Sequence, residues 1–349
     1  MTRILTTSIA GLRHWLRPWR DPHRTYVGLS VAASKSGWRV IRVPMPPMRL
    51  LSLAVPRYIA LFIAHLRLAW RIRARTDRCI VREFLTIPLL LTMPIWWRSR
   101  SRCLFVINHN LQSASRRAIE RAALLAMQQW GVRFLLCENS TAWADALRLD
   151  DTKAIPGIFC VPFPVAGTFS PGDPAPRRTL PRIGVIGAFR PEKNPTESLN
   201  LLYEAIQSGR ILGELVVGCP DRSFRNSWEG KALTIDTTSE AGYAVALRSC
   251  DVVVFFYDRL MYFYRTSGVV IDAIRHGCVV VCPNYPAMRS QIMEPTPVGA
   301  VYNAADDLVE AVIRAIDLAL SPTAGEAFTA YRAHRSPERV ASLLRDILP

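Results

Sequence analysis

The chain of 349 residues is too long for one ordinary hydrophobic core and suits two domains. Half of its residues are hydrophobic and 21% are charged, which excludes a disordered protein and is typical of a globular one. The net charge of +16 is confined to residues 1–110, which carry 19 Lys and Arg against three acidic residues; residues 111–349 carry 25 of each. The first part is therefore predicted to face something anionic.

The eight cysteines form no CxxC pair and fall mostly in apolar runs, which favours buried thiols in a reducing compartment. The six histidines do not cluster with them, so neither a zinc site nor another cofactor is expected. Residues 50–70 and 80–97 are apolar but interrupted by charges or prolines, short of the ~20 apolar residues of a spanning helix. With no signal-peptide pattern at the N-terminus, we expect a cytoplasmic protein.

Apolar runs alternate with helical patterns along the first half, which predicts βαβ units and a parallel sheet. The predicted strands are 3–9, 38–43, 103–107, 133–137 and 157–161. The predicted helices are 26–36, 57–75 and 113–130. Six prolines and two glycines in residues 162–181 then indicate a linker.

The same alternation restarts after the linker. The predicted strands are 182–186, 214–217, 232–235, 251–256, 279–282 and 300–302, and the predicted helices are 195–208, 239–249, 267–275, 305–320 and 326–348. We therefore predict an α/β protein of two Rossmann-like, doubly wound domains facing across a cleft. The expected divisions are a first domain at 1–165, a linker at 166–181, a second domain at 182–330, and a C-terminal helix at 331–349 that packs back on the first domain.

The first candidate binding segment is RIGVIGAFRPEKNP. Gly187 ends a predicted strand, and Arg190 and Lys193 lie in the loop before a helix opened by Asn194 and Pro195. Cationic side chains beside free helix amides can bind a diphosphate. The alternative is a solvated surface turn.

The second segment follows the strand predicted at 251–256. Thr266 or Ser267 would cap a helix, so that the exposed N–H groups of Ser267, Gly268 and Val269 could bind phosphate. Asp272, one turn further, could accept hydrogen bonds from the hydroxyls of a ribose. The alternative is a capped helix with a solvated aspartate.

Together the two segments match two motifs, G-x5-K-N and an acidic residue before A-x3-G-x-x-V-V. The matching residues are Gly187, Lys193 and Asn194 for the first, and Asp272, Ala273, Gly277, Val280 and Val281 for the second. This pair resembles the C-terminal domain of retaining glycosyltransferases of family 4 and their GT-B relatives. The resemblance implies that Lys193 pairs with a donor diphosphate, that Asp272 holds the ribose, and that transfer retains configuration. The form RTSGVVID is similar to a subset in exopolysaccharide assembly.

Two positions depart from this pattern. The family usually carries arginine directly after the loop glycine, where this chain has Ala188, and Arg190 could substitute from two residues on. The motif's first glutamate, which in the family faces the transferred sugar, falls on Tyr264, and Arg265 is the nearest charged residue.

Other candidates lie at predicted strand ends. His109, between Asn108 and Asn110, could contact a sugar hydroxyl or move a proton, so His109 and Arg265 are the predicted catalytic residues. The alternative for His109 is a hydrogen-bonded turn residue. Weaker candidates are Glu138, Asn139 and Ser140 for the sugar, and Tyr257 and Asp258 for the nucleobase.

The arginines of the first half accompany large apolar residues in 57–75, at Trp96 and Trp97, and in 98–102. This pattern predicts docking onto anionic lipid, on the inner face of a membrane. Nucleic acid ranks lower as a partner, because no nucleic-acid-binding module is visible. The plain alternative is an arginine-rich composition, with 40 Arg to four Lys.

We therefore expect a glycosyltransferase that moves a sugar from a nucleotide diphosphate sugar to a lipid-linked or glycan acceptor, in polysaccharide or glycoconjugate assembly. Two alternatives stay open. One is a non-catalytic nucleotide-sugar-binding subunit of a glycosyltransferase complex. The other is a nucleotide-sugar epimerase of the same fold.

Overall fold

Each half of the chain forms one parallel β-sheet in the computed structural model. The structure describes residues 25–42, 54–82, 84–107, 109–149, 155–165, 179–187, 189 and 195–347. The strand predicted at 3–9, most of the predicted linker, and Arg190 and Lys193 lie outside the described residues.

The first half contains a five-stranded sheet flanked by helices. Its strands are β1 (Arg39–Arg42), β2 (Cys79–Arg82), β3 (Cys103–Ile107), β4 (Arg133–Cys137) and β5 (Ile158–Val161). Its helices are α1 (Thr25–Lys35), α2 (Ala54–Arg73), α3 (Thr86–Leu91), α4 (Met93–Trp96), α5 (His109–Arg116), α6 (Ala118–Gln129) and α7 (Ala142–Leu147), with a 3₁₀ helix at Trp97–Arg102. The strands lie side by side in chain order, and every pair is parallel.

The second half contains a six-stranded parallel sheet. Its strands are β6 (Arg182–Ile186), β7 (Glu214–Cys219), β8 (Leu233–Asp236), β9 (Val252–Val254), β10 (Val279–Pro283) and β11 (Gly299–Tyr302). Its helices are α8 (Pro195–Gln207), α9 (Arg222–Asn226), α10 (Glu240–Arg248), α11 (Arg259–Tyr262), α12 (Gly268–Arg275), α13 (Pro286–Met293), α14 (Leu308–Leu320), α15 (Ala324–His334) and α16 (Pro337–Ile347). The spatial order is β11-β10-β9-β6-β7-β8, so the direction of winding reverses between β6 and β9. The α/β prediction with parallel sheets is confirmed.

Both faces of each sheet are buried, which explains why the strands are continuous apolar runs. In β3, Phe105 packs into one hydrophobic cluster and Leu104 into another on the opposite face. In β9, Val253 and Val254 divide between two clusters in the same way. Burial on both faces requires helices above and below the sheet.

Helix α16 packs on the first half of the molecule, against α1. Its Val340 and Leu344 are fully buried in one cluster with Leu29 and Trp38. The indole Nε1 of Trp38 donates a hydrogen bond to the carbonyl of Leu344 at 3.3 Å. The end of the chain therefore completes the helical layer of the first sheet.

Two predicted helices are each divided in the structure. The helix predicted at 113–130 is α5 followed by α6, because Arg117 adopts an extended backbone with φ −127° and ψ 115°. The helix starts earlier than predicted, at His109, where the Asn110 amide anchors it to the carbonyl of Phe84 and to Thr86 Oγ1. The stretch predicted at 326–348 is α15 and α16, interrupted just before Pro337, since proline disfavours helical geometry in the preceding residue.

Residues 80–97, considered above only for their hydropathy, form β2 and two short helices. None of the helices in the described part of the chain combines the length and the hydropathy needed to span a bilayer.

Candidate functional site

The strands that precede the two motif-bearing segments are neighbours where the second sheet reverses direction. Strands β6 and β9 are hydrogen-bonded neighbours, with Ile183 beside Val252 and Gly184 beside Val253. Because the strands are parallel, their carboxyl ends lie at one edge, and ligands of such sheets bind in the crevice at this reversal. Gly187, at the end of β6, and the segment that leads from β9 to α12 therefore start from the same edge of the sheet. The contacts of Lys193 and Arg190 stay predictions.

Gly187, directly after β6, has a backbone conformation that favours glycine. Its φ of +130° lies in the region that favours glycine, so a side chain here would strain the turn. Its N–H donates to the carbonyl of Gly218 at 2.8 Å and so belongs to the sheet. Gly187 can therefore shape the loop after β6, but its amide is already used.

The start of α12 differs from the prediction at Ser267. The N–H of Ser267 donates to Gln291 Oε1 at 2.9 Å, and Gln291 Nε2 donates back to the carbonyl of Ser267 at 3.1 Å. Ser267 is buried, and its Oγ shares a 2.7 Å hydrogen bond with the hydroxyl of Tyr257. The expectation that the Ser267 amide is exposed for phosphate is therefore wrong, because Gln291 on α13 occupies it.

Gly268 and Val269 lie in the first turn of α12, where backbone N–H groups have no partner within the helix. Both residues are only half-buried. Asp272 follows Gly268 by four residues and so lies on the same helix face, also half-buried. The binding of a phosphate by Gly268 and Val269 and of a ribose by Asp272 stays a prediction.

His109 and Arg265 come from opposite halves of the chain and are electrostatically coupled. Burial lowers the pKa of His109 well below its ordinary value, and the positive charge of Arg265 lowers it further. Arg265 donates to the carbonyl of Met261 at 3.1 Å, and its guanidinium lies 4.6 Å from the centre of the Tyr262 ring. His109 is therefore a neutral imidazole, able to exchange hydrogen bonds with a hydroxyl, next to a fixed cation.

A small pocket, open to solvent, lies between the two halves. The first half contributes Ile107 and Asn139, after the carboxyl ends of β3 and β4, and the second contributes Tyr264 and Thr266. Thr266 therefore faces the first domain, two residues before the start of α12, and Ser267 takes the capping position.

Tyr264, at the position of the family's glutamate, contacts the first domain. Its hydroxyl donates to Asp145 Oδ2 at 2.9 Å, and its N–H donates to Gln112 Oε1 at 3.0 Å. The sequence did not single out Gln112 or Asp145, because Tyr264 lies 152 residues from the first and 119 residues from the second.

Glu138 has a structural role that excludes it from sugar binding. Its side chain is 1% exposed, pairs with Arg335, and accepts a hydrogen bond from the N–H of Phe163 at 2.8 Å. The prediction of a sugar contact at Glu138 is therefore wrong, because its carboxylate is consumed inside the protein.

Tyr257 and Asp258 have partners of their own. The Tyr257 hydroxyl is buried against Ser267, and its carbonyl accepts from the hydroxyl of Tyr285 at 2.7 Å. Asp258 caps α11 by accepting from the N–H of Leu260 at 2.6 Å. Tyr257 is therefore bonded inside the second domain and Asp258 caps a short helix, and nucleobase binding by either residue stays a prediction.

No family model matches the sequence, and no curated protein sequence matches it either. Solved structures do match. A glycosyltransferase from Rickettsia africae superposes with a TM-score of 0.60 at 11% identity, covering 93% of both chains. HepE from Anabaena, solved with UDP and glucose, gives a TM-score of 0.59 at 11% identity, over 93% of this chain and 95% of HepE. This chain has the GT-B fold.

A third GT-B structure, TarM, aligns with a TM-score of 0.54 at 13% identity. The match covers 82% of this chain, which spans only 57% of TarM. Identities this low establish the shared fold alone. Within the GT-B fold of this chain, the cleft lies between the carboxyl ends of β3 and β4 on one side and the β6–β9 reversal on the other.

Proposed function

We propose that the chain is a glycosyltransferase that takes a sugar from a nucleotide diphosphate sugar. The proposal is carried by the pairing of β6 with β9, because Gly187 at the carboxyl end of β6 and the segment that leads from β9 to α12 start from the same edge of the sheet. We propose that Lys193, six residues after Gly187, reaches the crevice at this edge. A diphosphate there would face the first-turn amides of α12, and Asp272 on the same helix face would accept from the ribose.

The chemistry asked of the protein is mainly electrostatic. As the bond between the sugar and the diphosphate breaks, negative charge develops on the leaving group, and preorganised cations and amides stabilise it. Lys193, Arg190, Gly268 and Val269 are the proposed groups, and the proposal invokes no metal. Neutral His109 would hydrogen-bond a hydroxyl of the acceptor or the transferred sugar. Retention of configuration rests on the family resemblance.

The acceptor is proposed to be a glycan or a lipid-linked sugar, as in polysaccharide assembly. HepE was solved with UDP and glucose, and TarM of S. aureus was solved with UDP, a GlcNAc-glycerol and the glycan fondaparinux. Those ligands belong to those proteins, and they support a similar pairing of substrates here.

We also propose peripheral contact of the first domain with anionic membrane on the cytoplasmic side. Helix α2 exposes Ile59, Ile63 and Trp70, the last at 56%, beside exposed arginines at 67, 71 and 73. The guanidinium of Arg73 lies 5.1 Å from the centre of the Trp70 ring. Apolar side chains flanked by arginine suit the lipid headgroup region.

The 3₁₀ helix that follows α4 adds Trp97, whose ring lies 3.9 Å from the Arg100 guanidinium. Trp96 was expected in this surface but is fully buried, with its ring 5.0 Å from that of Phe105. The docking surface therefore comprises Ile59, Ile63, Trp70 and Trp97 with their neighbouring arginines.

A non-catalytic nucleotide-sugar-binding subunit is the second candidate, and Tyr264 favours it, because the glutamate of the family is absent. The epimerase alternative gains no support from the similar structures, which include named glycosyltransferases.

The test is turnover. The protein is incubated with UDP-, GDP- and dTDP-sugars, with and without membrane extract, and released nucleotide is measured. A lower rate of nucleotide release in Lys193→Ala and Asp272→Asn supports the proposal. Lys231→Ala is the matched control, because Lys231 lies over the Trp228 ring elsewhere in the second domain. Binding without release under every condition would favour the subunit, and neither binding nor release would refute both.

A further inference from the structure

The loop at residues 260–266, which includes the end of α11 and leads to α12, is bonded to the first domain at two points by the Gln112 side chain. Gln112 Nε2 donates to the carbonyl of Leu260 at 2.8 Å, while its Oε1 accepts from the N–H of Tyr264 at 3.0 Å. Gln112 is 9% exposed. Because both ends of the amide are used on one loop, the side chain fixes the distance and the orientation of that loop relative to α5.

Two further contacts strengthen this attachment. Arg116, one turn along α5, also donates to the carbonyl of Leu260, at 3.2 Å. The Tyr264 hydroxyl donates to Asp145 on α7, and the Tyr264 ring packs against the first hydrophobic core. Burial raises the pKa of Tyr264, and the hydrogen bond to Asp145 raises it further, so the phenol remains a donor.

The attachment lies beside the groups proposed to act on the sugar. Gln112 follows His109 by three residues, so the two share one face of α5. Arg265 and Thr266 follow Tyr264 directly in the chain. The bonds that Gln112 and Tyr264 make therefore help to set the position of Arg265 relative to His109, together with the bond from Arg265 to Met261.

We propose that Gln112 and Tyr264 are positioning residues of the transfer reaction. They hold the cleft-facing loop so that Arg265 and Thr266 stand against His109 on the opposite domain. Tyr264 lies at the position where enzymes with the similar motif have glutamate. It acts by holding the second domain in place against the first. The inference rests on the proposed function for its catalytic consequence, whereas the ordering of the loop is independent of turnover.

The test compares Gln112→Leu and Tyr264→Phe with Gln128→Leu in the full-length protein. Gln112→Leu removes both amide bonds, and Tyr264→Phe removes only the phenol bond while keeping the ring. The control, Gln128, lies on the neighbouring helix α6 and donates to the carbonyl of Pro156. Three quantities are measured: hydrogen exchange of peptides covering 258–267, UDP affinity by calorimetry, and kcat with KM for the donor.

We expect faster exchange in 258–267 for both variants and unchanged exchange for Gln128→Leu. Each variant should lower kcat about fivefold or more, as the loss of one hydrogen bond predicts, while UDP affinity and the melting temperature change little. Unchanged exchange in both variants would overturn the proposal, as would a kcat equal to that of the control. If the wild type shows no turnover, the proposed function fails, and the exchange result still decides whether the loop is held.

Discussion

Arg335 and Glu138 form an ion pair that is closed off from solvent, with their side chains 0% and 1% exposed. Arg335 also donates to the carbonyls of Ser290, Gln291 and Glu294 at the end of α13, at 3.0, 3.3 and 3.2 Å. Burial alone would lower the pKa of Arg335, but Glu138 raises it above its ordinary value. The pair therefore joins the end of β4 in the first domain to α13 in the second.

Removing one member of this pair should destabilise the protein strongly. Arg335→Leu leaves a buried carboxylate without its cation, and such losses cost about 3–5 kcal/mol. The exposed pair Lys35–Glu338, with side chains 48% and 64% exposed, provides the control, and Lys35→Ala should cost less than about 1 kcal/mol. Urea denaturation monitored by tryptophan fluorescence measures both. Equal effects of the two substitutions would contradict the assigned role of Arg335.

Gln291→Leu should weaken nucleotide binding. The substitution leaves the N–H and the carbonyl of Ser267 unpaired at the start of α12, and an unsatisfied buried polar group costs about 1–3 kcal/mol. We expect UDP affinity to fall at least about fivefold in calorimetry. Gln128→Leu serves again as the control. If Gln291→Leu binds UDP as well as the wild type does, the start of α12 is not part of the nucleotide site.

The pH dependence of stability should carry a contribution from His109. In the unfolded chain its imidazole takes up a proton near pH 6.5, whereas in the folded chain its pKa is lowered well below that value. The unfolded state therefore binds more protons as the pH falls below about 6.5, and the free energy of unfolding decreases, by up to about 1.4 kcal/mol per pH unit. The contribution of neutral His109 to the free energy of unfolding is therefore fully present above pH 6.5.

His109→Asn should flatten this decline in urea denaturation between pH 7.5 and pH 5. It should not abolish it, because burial also lowers the pKa of His65. An identical slope in the variant and the wild type would show that folding does not lower the pKa of His109.

Binding to anionic vesicles should depend on Trp70. Trp70→Ser removes an exposed apolar side chain from the basic surface, whereas Leu320→Ser removes one that is 70% exposed in the second domain. In co-sedimentation with vesicles containing phosphatidylserine, we expect weaker binding for the first variant only. Binding should also weaken with added salt, because the arginines act through screened charges. Salt-independent binding, or equal loss in both variants, would argue against the docking surface.

The sequence by itself predicted the elements whose formation depends on local pattern. Strands β3, β4 and β6 have the bounds expected from their apolar runs, because both faces of each are buried and no polar residue interrupts them. Gly277, with φ +85°, ends α12 as its position after the helix predicts. The parallel alternation of strands and helices also predicted the parallel sheets, whereas a shared crevice for the two motifs stays a prediction.

Only the tertiary structure decided which polar groups remain available for a ligand. The Ser267 amide looked free because its partner, Gln291, lies 24 residues further on. The carboxylate of Glu138 looked functional because Arg335 lies 197 residues away. Sequence periodicity reports the local conformation of the backbone, whereas the pairing of a buried donor or acceptor depends on which distant segment packs against it.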